Sequence, residues 1–439
     1  MSEKRDLVII GAGPGGYVAA IRASQLGAKA TLIEKDTVGG TCLNWGCIPT
    51  KSILASTHLF TKIQKAQEFG IEVPAPALNW PKVIERKDRI VHRLVKGIEY
   101  LLKKNKIEVI KGEAKLLPNK KVEIKNTEHR TQIFEAQQII LATGSQPAEI
   151  PGYKIDHKKI IDSTDALSLK ELPKSMTIIG GGVMGVEFAA LFSEAGVKVT
   201  IIEALDRLLP KEDIEISNAL TQSMKQKGIT IKTSSKEIID DEKILITIGR
   251  KLNIEGFEEA GIKLEYNRVL TNENMETNIP GIYAIGDITS PYQLAHVAMH
   301  QGKIAANQAL HPSPFTFHHS LIPYAIFTHP EIARIGLTEE EAKQTGKIKK
   351  EKFPFMALGK AAADGEKDGF IKIITNEQDF ILGAHIIGSH ASLLIPEIAL
   401  AIQNNLKAHQ IMETIHIHPT LSEGLEEAVA SIYGKAIHI

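Results

Sequence analysis

The chain is 439 residues long, 43% hydrophobic and 24% charged, the composition of a globular protein with room for about three domains at roughly 150 residues each. Its 52 Lys and Arg balance 52 Asp and Glu, so no electrostatic footprint points to nucleic acid or anionic lipid. No run of about eighteen uncharged apolar residues offers a membrane span. Small molecules and proteins are the expected partners. The N-terminus, MSEKRDLVII, passes from charged residues straight into a strand and leaves no room for a signal or transit peptide, which predicts a cytoplasmic protein.

The first element is the β-rich run DLVII, followed by Gly11, Gly13 and Gly16, a small-residue helix, and a second strand ending at Glu34. The arrangement recurs in MTIIGGGVMGVEFAALFSEAGVKVTIIEA, with Gly180, Gly182, Gly185 and Glu203. Glu34 falls 23 positions after Gly11 (34 − 11), and Glu203 falls 23 after Gly180 (203 − 180). A lone GxGxxG is weak, but strand, glycine turn, helix and a terminal acid occurring twice mark two dinucleotide sites. Glycines allow a pyrophosphate to approach the free N–H groups at a helix N-terminus, and the acid accepts hydrogen bonds from a ribose. A carboxylate at Glu203 would repel a 2′-phosphate, favouring NAD over NADP at the second site; Arg207 nearby is a counter-indication.

Between these units lies GGTCLNWGCIPTK, which holds the chain's two cysteines, Cys42 and Cys47. In a reducing compartment a close pair is more often catalytic or metal-binding than a structural staple. Zinc is disfavoured because a second cysteine pair is lacking, and two unrelated buried thiols are the bland alternative. Five residues apart on a regular helix, the Cα atoms would lie roughly 8–9 Å from each other, beyond the reach of about 7 Å for a disulfide, so the segment must bend, with Gly46 and Pro49 as suitable places. Two dinucleotides imply electrons moving between them, and a flavin connects hydride to thiol chemistry. The pair, a few residues beyond Glu34, then reads as a redox-active disulfide beside that flavin.

GGTCLNWGCIPTK resembles the active-site segment of the pyridine nucleotide-disulfide oxidoreductases, and its CLNWGCIPTK wording is similar to that of members acting on dihydrolipoyl groups. The resemblance runs almost end to end, through ILATGS at 140–145, LITIGR at 245–250, IPGIYAIGD at 279–287, QLAH at 293–296 and HIHPTLSE at 416–423. It implies two Rossmann-like α/β domains and an α+β C-terminal dimerisation domain. The expected segments are 1–145 for FAD, 146–276 for NAD, 277–318 completing the FAD site and 319–439 for the interface. It implies Cys42, the sulfur farther from the flavin, exchanging with a dithiol after His418 takes its proton, Glu423 fixing the His418 tautomer, and Cys47 passing electrons to the flavin. FAD contacts are expected at Gly11, Gly13, Gly16, Glu34, Thr41, Lys51, Ala114, Thr143, Gly144, Asp287, Leu294, Ala295 and His296. NAD contacts are expected at Gly180, Gly182, Gly185, Glu187, Glu203 and Gly249, and Lys51 and Glu187 would form an ion pair near the flavin. On residues alone, His416 and His418 could equally be a chance metal pair or packed core.

The implied function is oxidation of protein-bound dihydrolipoamide by NAD, in a homodimer whose base comes from the neighbouring subunit. The partner would be a separate lipoyl-bearing protein of a 2-oxoacid dehydrogenase complex or the glycine cleavage system. A reductase for another disulfide, and a flavin-containing binding module with impaired NAD turnover, are the alternatives. The sequence departs from the family after GITIKT at 228–233. Only SSKEIIDDE precedes the next strand where a three-stranded antiparallel segment is usual, Leu252 replaces a usual proline, and Leu393 stands where an acid is common. Weaker NAD binding or a less stable second domain is the expected consequence.

Overall fold

The computed structural model describes residues 3–126, 128, 130–237, 239–312, 314, 317 and 321–439. The chain divides into two compact units, the first formed by 1–149, 162–171 and 249–318, the second by 150–161, 172–248 and 319–439. The expected boundary at 318/319 lies outside the described residues. Residues 249–276, grouped in the sequence with the NAD segment, pack in the first unit. Their place there is fixed by backbone pairing, since strand Arg250–Leu252 runs antiparallel to Ser145–Pro147.

The first unit is built on strand Glu3–Ile10. Leu7, Val8, Ile9 and Ile10 are all buried, as a central parallel strand covered on both faces requires. It pairs in parallel with Ala30–Glu34 on one side and Thr131–Leu141 on the other. Strand Glu108–Leu117 extends the sheet beyond Ala30–Glu34, and Ile282–Ala284 extends it beyond Thr131–Leu141. Lys121–Asn126 pairs antiparallel with both Glu108–Leu117 and Thr131–Leu141. The glycine turn at 11–13 feeds helix Pro14–Gln25.

The second unit repeats the plan and adds a sheet. Its parallel sheet runs in the order Thr230–Lys232, Lys198–Ile202, Ser175–Ile179, Lys243–Ile246, Ile160–Ile161, with helix Val183–Glu194 after the second glycine turn. Thr230–Lys232 leads to Lys243–Ile246 with no strand between them among the described residues. The C-terminal part is a five-stranded antiparallel sheet covered by helices Ala391–Gln403 and Glu423–Ile432. Its core gathers Phe353, Phe355, Ile371, Ile373, Ile386 and Leu425. Two α/β parts and an α+β part are therefore present, as expected. Among the described residues no helix is long and apolar enough to cross a membrane.

Candidate active site

Cys42 lies in the short helix Gly40–Trp45, and Cys47 opens helix Cys47–Gln64. The bend that the spacing demands is at Gly46 alone (φ −141°, ψ −112°). A Cβ there would stand 3.0 Å from the Thr41 carbonyl oxygen and 3.4 Å from the Cys42 Cα, so a side chain would crowd the fold-back. Pro49 sits inside the first turn of the following helix, where its missing N–H costs nothing. Gly40, at φ +55°, packs directly on the first nucleotide turn: a Cβ would meet the Gly13 Cα at 2.6 Å, and the Gly39 N–H donates to the Ala12 carbonyl at 2.8 Å. The cysteine helix is thus seated on the glycine turn.

Cys42 is half-buried and Cys47 exposed. Hydrogen bonding between the two side chains, reinforced by burial, pushes the Cys42 thiol up, while the Lys51 ammonium, a turn beyond Cys47, works in the opposite sense.

The two glycine turns share one geometry. A Cβ at Gly16 would lie 1.8 Å from the Gly11 carbonyl oxygen, and one at Gly185 would lie 1.8 Å from that of Gly180. Cβ atoms at Gly13 and Gly182 would meet nothing within 4 Å. The outer glycines are thus required for packing, and the middle ones leave the helix N-terminus open. Neither helix has a side-chain cap. Glu34 accepts from the Ala12 and Asp36 N–H groups at 2.7 Å each; Glu203 accepts from Gly181 at 2.6 Å and Leu205 at 2.8 Å. Each carboxylate steadies its turn and keeps lone pairs for a ribose. These features fit adenine dinucleotides at both turns.

Asp287, in the short 3₁₀ turn Gly286–Ile288, accepts from the Ser145 hydroxyl at 2.5 Å. Arg250 clamps Ser145 through its hydroxyl oxygen (2.7 Å) and carbonyl (2.6 Å) and reaches Thr41 at 3.5 Å. Burial lowers the Arg250 pKa, opposed by Asp287, Cys47 and Asp162. The Thr143 hydroxyl donates to the Asn253 carbonyl at 2.6 Å, and Asn253 returns bonds to Thr143 and Gly144, the latter at φ +66°. Buried Gln301 accepts the Gly286 N–H at 2.7 Å. Ala114 lies mid-strand in Glu108–Leu117, Leu294 caps helix Ala295–Leu310, and Ala295 and His296 begin it.

In the second unit Glu187 is buried in its helix and accepts the Phe327 N–H at 2.8 Å. Gly249, expected with the NAD residues, belongs to the first unit, where its carbonyl accepts the Ala148 N–H at 3.1 Å. His418 is exposed, with Nδ1 2.8 Å from Glu423 Oε1. Glu423 also accepts the Thr420 N–H at 2.8 Å. Burial works to raise the Glu423 pKa, but the Thr420 N–H and the His418 ring hold it below the usual carboxylate range.

Sequence reasoning missed Arg250, Ser145, Asn253 and Gln301 as supports of Asp287 and the 143–144 turn. Arg250 and Asn253 stand in the GRKLN run, where Gly249 and Leu252 were singled out but these two were not.

Residues 5–302 match the pyridine nucleotide-disulphide oxidoreductase family, and 322–429 match its dimerisation domain. The chain belongs to this family of flavoprotein oxidoreductases, whose cofactors are FAD and NAD. Similar full-length relatives are the dihydrolipoyl dehydrogenases of Bacillus subtilis strain 168 (42% identical over 474 residues, covering 100% of both chains) and Chlamydia muridarum (44% over 464 residues, covering 100% of this chain and 99% of the relative). Among solved structures, LpdA from Mycobacterium tuberculosis superposes with a TM-score of 0.91 at 27% identity, covering 98% of this chain and 99% of that one.

Proposed function

We propose that the chain oxidises protein-bound dihydrolipoamide to lipoamide, with NAD as electron acceptor. The observation that carries the reading is the thiol pair bent at Gly46 and seated on the first glycine turn. FAD is assigned to the turn Gly11–Gly16 with Glu34, Thr41, Lys51, Thr143, Gly144 and Asp287; NAD is assigned to Gly180–Gly185 with Glu187 and Glu203. Bound FAD supplies the passage of an electron pair from thiolate to hydride acceptor.

The chain's own residues prepare that passage. Glu423 keeps the hydrogen of His418 on Nδ1, leaving Nε2 free to take a proton from the dithiol. The resulting substrate thiolate attacks Cys42 of the oxidised pair, and Cys47 leaves as thiolate. The second substrate thiol then closes the lipoyl disulfide, leaving Cys42 and Cys47 reduced. Overall one dithiol and NAD⁺ give one disulfide, NADH and a proton.

The family's dimerisation segment supports a homodimer, in which His418 of one copy would serve the cysteines of the other. The lipoyl protein would belong to a 2-oxoacid dehydrogenase complex or the glycine cleavage system, and the site of action would be the cytoplasm. The test is an anaerobic assay of the FAD-loaded protein with dihydrolipoamide and NAD, with glutathione disulfide and NADPH for comparison. Rapid NADH formation is expected, and turnover only with the glutathione pair would overturn the reading.

A further inference from the structure

His418 lies on a loop that the backbone scarcely holds. Among the described residues, no N–H from Ile415 to His418 donates to a backbone carbonyl. Ile415 and Ile417 face outward, 96% and 76% exposed. His416, between them, turns inward with its side chain only 5% exposed. Its Nε2 lies 3.0 Å from Glu397 Oε1, and its Nδ1 lies 2.8 Å from the Thr414 carbonyl and 3.3 Å from Glu426 Oε2. All three partners can accept, so the ring donates to them through whichever nitrogen carries hydrogen.

The positions of the two acids give the contact its meaning. Glu397 belongs to helix Ala391–Gln403, and Glu426 belongs to helix Glu423–Ile432, one turn beyond the Glu423 that orients His418. Residues three apart on a helix share a face. The loop is therefore pinned to one helix at two neighbouring points, His418 on Glu423 and His416 on Glu426, and to a second helix through Glu397.

We propose that His416 is a positioning residue for the dithiol half of the reaction, a clamp between Glu397 and Glu426 that sets where His418 stands. The inference rests on His418 acting as the base. Flavin and nicotinamide chemistry do not pass through this loop, so the clamp governs one half-reaction.

The test compares His416→Leu and His418→Gln in the FAD-loaded dimer, in two assays: dihydrolipoamide with NAD, and NADH with ferricyanide, which needs no base. For His416→Leu, kcat with dihydrolipoamide should fall about 10- to 100-fold, the scale of a roughly 1 Å misplacement. The ferricyanide rate should stay within about twofold, and His416→Gln, which keeps a donor, should recover part of the loss. A His416→Leu enzyme with full dihydrolipoamide activity beside an impaired His418→Gln enzyme would overturn the clamp alone. Full activity in both would overturn the base assignment and the clamp with it. Should His416→Leu fail to fold, Glu397→Gln and Glu426→Gln serve instead; selective loss in the dithiol assay supports the clamp, and equal loss in both assays overturns it.

Discussion

Replacing Glu423 by Gln changes one oxygen for an amide nitrogen and, on the observed geometry, changes the tautomer of His418. The carboxylate accepts two hydrogen bonds of 2.8 Å, one from the Thr420 N–H and one from His418 Nδ1. A backbone N–H can only donate, so the Gln carbonyl must stay with Thr420, and the NH₂ group is left facing Nδ1. That nitrogen must then present a lone pair, which moves the ring hydrogen to Nε2 and occupies the atom that should accept the substrate proton. The lost charge-assisted bond is worth about 1.5–3 kcal/mol, and with the wrong tautomer the dithiol reaction should slow by about 10²–10⁴-fold. The assay is steady-state oxidation of dihydrolipoamide by NAD, with NADH–ferricyanide turnover as the unaffected reference. The pH dependence has a definite sign. Because the folded-state pKa of Glu423 is depressed, its stabilising contribution is present above the ordinary carboxylate range and lost as pH falls through the lowered value. A Glu423→Gln enzyme whose kcat/KM for dihydrolipoamide stayed within about threefold of the parent would refute the tautomer argument.

Other perturbations test separate parts of the site. Cys47→Ser should abolish the long-wavelength thiolate-to-flavin absorption while Cys42→Ser retains it, and a surviving band in the Cys47 variant would reverse the two roles. Gly16→Ala, which drives a Cβ to 1.8 Å from the Gly11 carbonyl oxygen, should yield protein poor in flavin by its absorbance ratio; Gly185→Ala, equally tight against Gly180, should keep flavin and lose NAD binding. Buried Glu212, its pKa raised by burial to about 7 despite Arg334 at 3.3 Å, binds a proton in the folded state that the unfolded chain has released between about pH 4.5 and 7. Stability is therefore lost progressively as pH rises from about 4.5 to about 7, and Glu212→Gln should raise the melting temperature at pH 8 by much more than at pH 5.

What could be read from the sequence was what lies contiguous in it. The glycine turns, the acids that close them and the cysteine segment each fit within about 30 residues, so their spacing carries their geometry. Glu423 was legible through the resemblance of HIHPTLSE to the family's segment, not from its spacing to His418. The supports around them were not. Arg250 reaches Ser145 across 105 positions, and Ser145 reaches Asp287 across 142. Lys372, in the strand FIKIIT, would be read as solvent-facing, yet it is fully buried among Asp213, Glu215 and Glu339. A charge can be buried only where other elements bring its partners, and no local period announces such a meeting. His416 was hidden in the same way: its place in HIHPTLSE is visible, but its acids lie on two helices.

The shortened stretch after Lys232 is where sequence and structure bear on each other most directly. With no strand between Thr230–Lys232 and Lys243–Ile246 among the described residues, the second nucleotide turn could have lost its frame, yet the short connection is tied down at both ends. At its start, the Ser234 N–H donates to the Leu205 carbonyl at 2.7 Å and the Ser235 N–H donates to that of Glu203 at 3.0 Å. At its end, Asp241 accepts the Thr177 hydroxyl at 2.6 Å, and Glu242 accepts the Lys174 N–H at 2.9 Å. Glu203 itself still closes the Gly181 turn. The second glycine turn is thus held while the sheet edge is the three-residue strand Thr230–Lys232, so changes to this connection should fall on stability more than on affinity. Asp241→Ala, which strands the Thr177 hydroxyl, should then cost about 1–3 kcal/mol in urea unfolding, with the NAD dissociation constant within about threefold of the parent. A large loss of NAD affinity with unchanged unfolding would show instead that the short connection acts on the nucleotide site.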